Sequence, residues 1–148
     1  MGNLIRKIAG AFQARKFQTS KSTPIYDESK DKGIFCDCYG TLYCHNFSHD
    51  ELLVRFLNAK HREGIPVTLI SSKISDVAPH ISDIGLNPAI VASLTSKMRY
   101  YSSTLEILID DDPAPIEART LYHPADPIFR GQIQAFLENN NNPAPAPG

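Results

Sequence analysis

The most constraining feature of the sequence is the stretch 33–42, Gly-Ile-Phe-Cys-Asp-Cys-Tyr-Gly-Thr-Leu, in which a short apolar run ends on Asp37. Its β-branched Ile34 and aromatic Phe35 favour a buried strand, and a glycine turn follows the acid. Open α/β sheets bind ligands just outside the carboxyl ends of their strands. Asp37 is therefore a candidate functional residue.

Composition indicates one domain of ordinary globular character. The 148 residues are enough for a single hydrophobic core. The net charge of −1 does not point to a nucleic-acid partner, and the chain carries no specific nucleic-acid signature. Residues 1–26 hold five of the fifteen basic residues and no acidic one, which leaves a net charge of −6 on the remainder. This asymmetry separates a basic leader from an acidic domain.

The chain is predicted to have three parts. Residues 1–32 form a basic amphipathic leader and polar linker, residues 33–138 an α/β domain, and residues 139–148 a disordered Asn/Pro/Ala tail. Residues 3–17 have helical spacing with an apolar side. Such a helix can bind an anionic membrane surface or a protein partner, act as a targeting segment, or pack on the domain.

The cysteines indicate a reducing compartment. Cys36, Cys38 and Cys44 are odd in number, and no apolar run is long enough for a secretory signal or a membrane span. We therefore expect a cytoplasmic protein, peripheral at a membrane if the leader binds one. Together with His45 and His49 the thiols offer zinc-ligand types, but the spacing of Cys36 and Cys38 is not that of a structural zinc site.

Apolar periodicity predicts alternating strands and helices after Asp37. Further strands are predicted at residues 66–70, 89–92, 105–109 and 120–122. Helices or helical turns are predicted at residues 48–64, 74–84, 95–101 and 127–137, with Ser48 and Glu51 as a capping box and Pro79 near a first turn. Strand–helix–strand order predicts an α/β fold of three layers with a mostly parallel five-stranded sheet.

Three of the predicted strands end in polar residues, and a lysine shortly precedes the last of them. These residues are Asp37, Ser71 and Ser72, Asp110 and Asp111, and Lys97. A carboxylate can attack phosphorus and form an acyl phosphate, but an anion then approaches a dianion. Mg²⁺ suits this task because it is a hard cation that binds carboxylates, water and phosphate oxygens. We expect the serines and the lysine to bind the phosphoryl oxygens.

Each of these residues also has a purely structural interpretation. An acid at a strand end often caps a turn or helix, and Ser71 is a possible helix N-cap. Lys97 is equally compatible with a solvated helix position, in which case Lys73 or Arg99 would take its place. Residues 112 and 113, Asp-Pro, are expected to form a turn.

These residues also carry a family resemblance. The segment 37–42 resembles the first motif, Asp-x-Asp-Gly-Thr-Leu/Val, of the haloacid dehalogenase (HAD)-like hydrolase superfamily. Residues 67–71 resemble its second motif, Lys97 its basic third motif and residues 107–111 its acidic fourth motif. The four motifs stand in the family's order, and the resemblance covers residues 33–130 approximately.

The resemblance implies a Rossmann-like parallel sheet flanked by helices and a phosphatase that forms an aspartyl-phosphate intermediate. It implies Asp37 as nucleophile, with Mg²⁺ held by Asp37, Asp110 and the backbone carbonyl of Tyr39. Asp111 is a further candidate metal ligand, and Thr41 is expected to steady the motif loop.

The first motif departs from the family's phosphatases at Tyr39, where these usually have a second Asp as general acid and base. A phenol is a poor base at neutral pH. Asp-x-Tyr-Gly-Thr is the form of the family's 2-haloacid dehalogenases, but those enzymes close their site with a helical cap. Only 33 residues separate Asp37 from Ser71 and only 25 separate Ser71 from Lys97, so neither gap holds a cap domain. An uncapped, wet site argues against dehalogenation.

We therefore predict a capless Mg²⁺-dependent phosphatase or phosphotransferase acting on a phosphate ester, small or macromolecular. The alternative is a catalytically weak or inactive HAD-like module that binds a phosphorylated ligand or protein partner.

Overall fold

A computed structural model describes residues 26–43 and 48–141 of the protein. Its strands are β1 (Ile34–Asp37), β2 (Val67–Ser71), β3 (Thr95–Ser96), β4 (Thr104–Ile109) and β5 (Glu117–Tyr122). They form one sheet in the order β3-β2-β1-β4-β5, and all neighbouring strands are parallel. The α-helices are α1 (Glu51–Arg62), α2 (Ile74–Ile81), α3 (Pro88–Val91) and α4 (Pro127–Asn141). The predicted α/β class with a parallel five-stranded sheet is confirmed, and the arrangement is compatible with a three-layer Rossmann-like fold.

The two faces of the sheet are covered unequally. Successive residues of β1 alternate between the faces, so that Ile34 and Cys36 join the larger core cluster and Phe35 the smaller one. All four α-helices contribute side chains to the larger cluster. The smaller cluster receives Tyr100 from a 3₁₀-helix, Lys97–Tyr100, and Ile116 from the loop before β5. The 3₁₀-helix on this second face also places Lys97 near the carboxyl end of the sheet.

The start of α1 differs from the prediction. The helix begins at Glu51, and its N-cap is Asp50, whose side chain accepts a hydrogen bond from Leu53 N–H at 3.2 Å. The predicted capping box at Ser48 is therefore wrong: Asp50 is the capping side chain placed directly before the helix. The predicted end is confirmed, because Gly64 adopts a φ of +87° just beyond the last turn.

The prediction of a strand at residues 89–92 is also wrong, because these residues belong to α3. Asn87 caps this helix by accepting from Ala89 N–H at 2.8 Å, and Pro88 provides a preset φ at its first position. The third strand is instead Thr95–Ser96, inside the segment predicted as a helical turn, and only Lys97–Tyr100 is helical there.

Two helices differ from their predicted extent. Helix α2 ends at Ile81, and Pro79 lies in its interior, although we predict it near the first turn. The missing proline N–H removes only one helical hydrogen bond from a helix that ends two residues later. Helix α4 continues to Asn141, beyond the predicted end at residue 137.

The predictions for the two ends of the chain are only partly covered. Of the predicted linker, residues 26–32 form a turn in which Asp31 is 1% exposed and accepts from Asp27 N–H at 2.8 Å. Residues 139–141 of the predicted tail 139–148 belong to helix α4, so the prediction of disorder is wrong for them. The amphipathic segment 3–17 and residues 142–148 lie outside the described residues, so those predictions stay predictions. Among the described residues no helix is both long and apolar enough to cross a membrane.

Candidate functional site

The candidate site lies where the direction of the chain across the sheet reverses. From β1 the chain proceeds to β2 and β3 on one side, and it then crosses to β4 and β5 on the other. Asp37 is the last residue of β1, and Asp110 directly follows β4. Cys36 pairs with Ile109, so the two acids occupy equivalent positions at the carboxyl ends of adjacent parallel strands. Open α/β sheets bind ligands at such a switch point.

Three carboxylates meet at this point. One side-chain oxygen from each of Asp37, Asp110 and Asp111 lies within 4.8 Å of the other two. Asp37 and Asp110 are buried, whereas Asp111 is exposed. The convergence that the strand ends predict is therefore present, and the cluster opens to solvent on the Asp111 side.

The donor set fits a divalent cation. Asp110 Oδ1 accepts from Asp112 N–H at 2.9 Å, whereas Oδ2 is buried and paired with Lys97. Lys97 Nζ lies 2.7 Å from Oδ2 as an ion pair, and it directs a hydrogen bond to the Asp112 carbonyl at 2.8 Å. One ammonium thus faces three carboxylates. A buried carboxylate oxygen with spare lone pairs beside two further acids suits a hard cation with oxygen ligands.

The crowding of acidic groups changes the pKa of Asp37. Burial, followed by the negative charge of Asp110, raises the pKa of Asp37 to about 7, although Lys97 acts in the opposite direction. Its carboxylate form is therefore destabilised by the surrounding protein. A cation bound between Asp37 and Asp110 would remove that destabilisation.

Thr41 and Gly40, in the loop that follows β1, lie against Asp111, which follows β4. The Thr41 hydroxyl accepts from Asp111 N–H at 3.2 Å, and its proton is within reach of Asp111 Oδ1 at 3.2 Å and of Asp37 Oδ2 at 3.4 Å. Gly40 has a φ of +88°, and a Cβ built on it would lie 2.8 Å from Asp111 Oδ2. The predicted loop-steadying role of Thr41 agrees with these contacts.

Lys97 lies inside the site and not in solvent. It is 7% exposed, and its ammonium bridges Asp110 and the Asp112 carbonyl. Burial alone would lower the pKa of Lys97, but the contacts with Asp110 and Asp37 outweigh it and raise the pKa. The alternative cation Arg99 is exposed and donates to the Thr95 hydroxyl at 3.1 Å, and Lys73 is exposed. Of the three candidate cations, Lys97 is the one that touches the acid cluster.

The two serines differ in position. Ser71 is 2% exposed at the end of β2, beside β1, and its hydroxyl accepts from Lys73 N–H at 2.9 Å. Ser71 is therefore not the N-cap of α2, because that position is Lys73 and has no side-chain cap hydrogen bond. The Ser71 hydroxyl retains its own proton for donation. Ser72 is exposed, and its predicted contact with phosphate stays a prediction.

Tyr39, two residues after Asp37, is half-buried and packs edge-on against Tyr43 with 6.4 Å between ring centroids. Its backbone carbonyl as a metal ligand stays a prediction.

The cysteines of the competing zinc hypothesis belong to the core. Cys36 and Cys38 are both 0% exposed, and burial raises the pKa of each thiol. Neutral buried thiols are poor metal ligands, because zinc binds the thiolate. Cys44 and His45 lie outside the described residues. Within those residues the acid cluster is the only group of three or more candidate metal-ligating side chains.

One contributor to the site is absent from the sequence-based prediction. The carbonyl of Asp112, in the turn after Asp110 and Asp111, anchors the Lys97 ammonium. A backbone acceptor has no signature in the sequence, so only the turn itself could be foreseen.

Comparison of the chain with family models, with curated proteins and with solved structures found no match.

Proposed function

We propose that the protein is a capless, Mg²⁺-dependent phosphatase or phosphotransferase of the HAD-like superfamily that works through an aspartyl-phosphate intermediate. The observation that carries this proposal is the meeting of Asp37 and Asp110 at the switch point of the sheet, with the Lys97 ammonium against the buried Asp110 Oδ2. The first and fourth motifs supply the three acids of this cluster, and the third supplies Lys97 beside them. The second motif supplies Ser71, at the end of the neighbouring strand β2. The convergence of the four motifs supports the family assignment.

Asp37, Asp110 and Asp111, with the Tyr39 carbonyl, are the groups that would hold Mg²⁺. The bound cation would reduce the repulsion between an anionic nucleophile and a phosphate dianion. The short distances within the acid cluster support this assignment, because Mg²⁺ binds carboxylates together with substrate phosphate oxygens.

Asp37 acts as the nucleophile. Its carboxylate oxygen attacks phosphorus, so that an O–P bond forms while the ester P–O bond breaks and the alcohol leaves with its electron pair. Lys97 and Ser71 bind the phosphoryl oxygens, and the leaving oxygen takes its proton from water. A second water then attacks the acyl phosphate, which releases inorganic phosphate and restores Asp37.

The surroundings of the site favour a large substrate. Between Asp37 and Ser71 the described chain holds α1, and between Ser71 and Lys97 it holds α2, α3 and β3. Neither interval contains an inserted domain that could cover a small ester. A phosphoprotein or nucleic-acid end would cover the site with its own surface and exclude water there.

Tyr39 favours a second candidate, a HAD-like module that binds a phosphorylated ligand or partner and turns over slowly or not at all. General acid–base catalysis contributes about 10²–10⁴ in rate, and Tyr39 stands where that carboxylic acid is usual. A site with cation and phosphate ligands but without this group would retain its ligand.

The two candidates are separated by hydrolysis of an aryl phosphate with and without Mg²⁺. We expect metal-dependent turnover in the wild type that is lost in Asp37→Asn and kept in Lys60→Gln, a control on the far end of α1. Absence of turnover, with phosphate or a phosphopeptide still bound, favours the binding module. Turnover unaffected by Asp37→Asn contradicts the nucleophile assignment.

A further inference from the structure

Arg130 makes a two-pronged contact with Asp50 across 80 residues of sequence. Its Nη1 donates to Asp50 Oδ2 at 2.7 Å, and its Nη2 donates to Asp50 Oδ1 at 3.1 Å. Both side chains are partly buried, at 33% and 21% exposure. A planar guanidinium paired with a carboxylate in this way fixes orientation as well as distance.

The Asp50 side of this pair is joined to the loop that follows Asp37. Asp50 N–H donates to the Leu42 carbonyl at 2.7 Å, and Leu42 N–H donates to the Cys38 carbonyl at 2.7 Å. Cys38 is the residue directly after Asp37. Two short backbone hydrogen bonds therefore link Asp50 to the residue that follows Asp37.

The Arg130 side is joined to the strand that leads to Asp110. Nη1 of Arg130 also donates to the Pro124 carbonyl at 2.9 Å, in the loop that follows β5. At the end of β5, the Tyr122 carbonyl accepts from Asp110 N–H at 3.1 Å. Arg130 thus contacts a loop whose other end is hydrogen-bonded to the backbone of Asp110.

We propose that Arg130 is a positioning residue that sets the separation of Asp37 and Asp110 and thereby the affinity of the site for a divalent cation. The guanidinium closes a ring of contacts that runs from Asp37 through Asp50 to Pro124 and Asp110. The two carboxylates repel each other, so the ring holds them together against that repulsion. This inference rests on the proposed function only in requiring that the acid cluster binds Mg²⁺.

The test is calorimetric titration of Mg²⁺ into full-length wild type, Arg130→Gln, Arg130→Lys and Asp50→Asn, at a temperature where circular dichroism shows each protein folded. Asp50→Asn is informative because Asn caps a helix as well as Asp does, so this variant removes the ion pair and keeps α1 capped. We expect Arg130→Gln and Asp50→Asn each to weaken Mg²⁺ binding about tenfold or more, as loss of partners that orient metal ligands does. Arg130→Lys should fall between them and wild type, because lysine keeps the charge and loses the fork.

The matched control is Glu63→Gln, which removes the ion pair between Lys60 and Glu63 at the far end of α1, keeps Lys60 over the Phe136 ring, and should leave Mg²⁺ affinity unchanged. Combining Asp50→Asn with Arg130→Gln should weaken binding no further than Arg130→Gln alone, since Arg130→Gln already breaks the contact with Asp50. Folded variants with wild-type affinity overturn the inference and leave the proposed function intact. A wild type that binds no Mg²⁺ overturns both. If Arg130→Gln does not fold, Asp50→Asn and Arg130→Lys decide.

Discussion

Gly40 and Asp111 touch across the candidate site. The Asp111 carboxylate occupies the space of a side chain at position 40, where a Cβ would lie 2.8 Å from Oδ2. Gly40 also has a φ of +88°, a conformation that other residues rarely adopt. Glycine at position 40 therefore suits the backbone conformation there, and any larger residue would have to displace the Asp111 carboxylate.

We predict that Gly40→Ala weakens Mg²⁺ binding and lowers the free energy of unfolding by more than the backbone effect alone. Gly64→Ala is the matched control, because Gly64 has a φ of +87° and nothing within 4 Å of a built Cβ. Gly64→Ala should cost about 1–2 kcal/mol, the usual cost of this conformation for alanine, and leave Mg²⁺ affinity unchanged. Chemical denaturation and calorimetry measure both effects. Equal losses in the two variants would mean that Asp111 simply moves away.

The elevated pKa of Asp37 predicts an unusual pH dependence of stability in the metal-free protein. The folded state holds the Asp37 proton up to about pH 7, whereas the unfolded state releases it near 3.8. Between these pH values the folded state binds more protons, so stability falls as pH rises and levels off above pH 7. Asp37→Asn should remove this decline and be more stable than wild type at pH 8 in a chelator.

The measurement is urea denaturation at pH 5 and pH 8, with and without Mg²⁺. The decline should amount to a few kcal/mol, since each tenfold change in proton affinity is worth about 1.4 kcal/mol. Mg²⁺ should stabilise the wild type more at pH 8 than at pH 5 and stabilise Asp37→Asn less than the wild type at pH 8. An Asp37→Asn protein that is less stable than wild type at pH 8 without metal contradicts this account.

Removal of the Lys97 charge should leave Asp110 buried without its ion pair. We expect Lys97→Met to lower the free energy of unfolding by about 3–5 kcal/mol, the usual cost of leaving one member of a buried pair uncompensated. Mg²⁺ should recover part of the loss, because a divalent cation offsets the same carboxylate. Arg99→Gln, which changes an exposed cation nearby, should stay within about 0.5 kcal/mol of wild type. A mild Lys97→Met variant would show that water or other cations already compensate Asp110.

Replacement of Tyr39 by an acid is predicted to increase phosphatase turnover. Tyr39→Asp introduces a carboxylic acid two residues after the proposed nucleophile, Asp37, and should raise aryl-phosphate turnover about tenfold or more, within the range of general acid–base catalysis. Tyr39→Phe is the control and should leave turnover at the wild-type rate, because the phenol is not assigned a proton-transfer role. No increase in a folded Tyr39→Asp protein would mean that the missing acid is not what limits the rate.

The sequence predicts the strand ends better than it predicts the elements between them. β1, β2 and β4 are apolar runs that end in polar residues, so both the strands and the position of Asp37 and Asp110 can be inferred from local pattern. β3 has only two residues and is a strand because it pairs with β2, so the sequence around it has no strand pattern of its own. The helix at residues 88–91 begins at Pro88 and is capped by Asn87. Its apolar residues resemble a strand, so the two capping residues are easily overlooked in the sequence.

Long-range contacts account for the rest of the site. Lys97 is a plausible solvated lysine in sequence, and its burial follows from the crossing of the chain over the second face of the sheet. The pairing of Arg130 with Asp50 joins residues far apart in the chain, and neither has a motif. Such pairs are fixed by the packing of α1 against α4 and cannot be inferred from spacing.

In the proposed mechanism, Asp37 attacks phosphorus beside a cation held with Asp110. The most direct test of this mechanism is a crystal structure of the full chain with Mg²⁺ and beryllium fluoride, which mimics a phosphoryl group on a carboxylate. We expect the beryllium to be bonded to an Asp37 carboxylate oxygen, Mg²⁺ to contact Asp37 and Asp110, and Lys97 Nζ to contact a fluoride. A fluoride complex bound elsewhere, or Asp37 and Asp110 without a shared ion at saturating Mg²⁺, would contradict the mechanism.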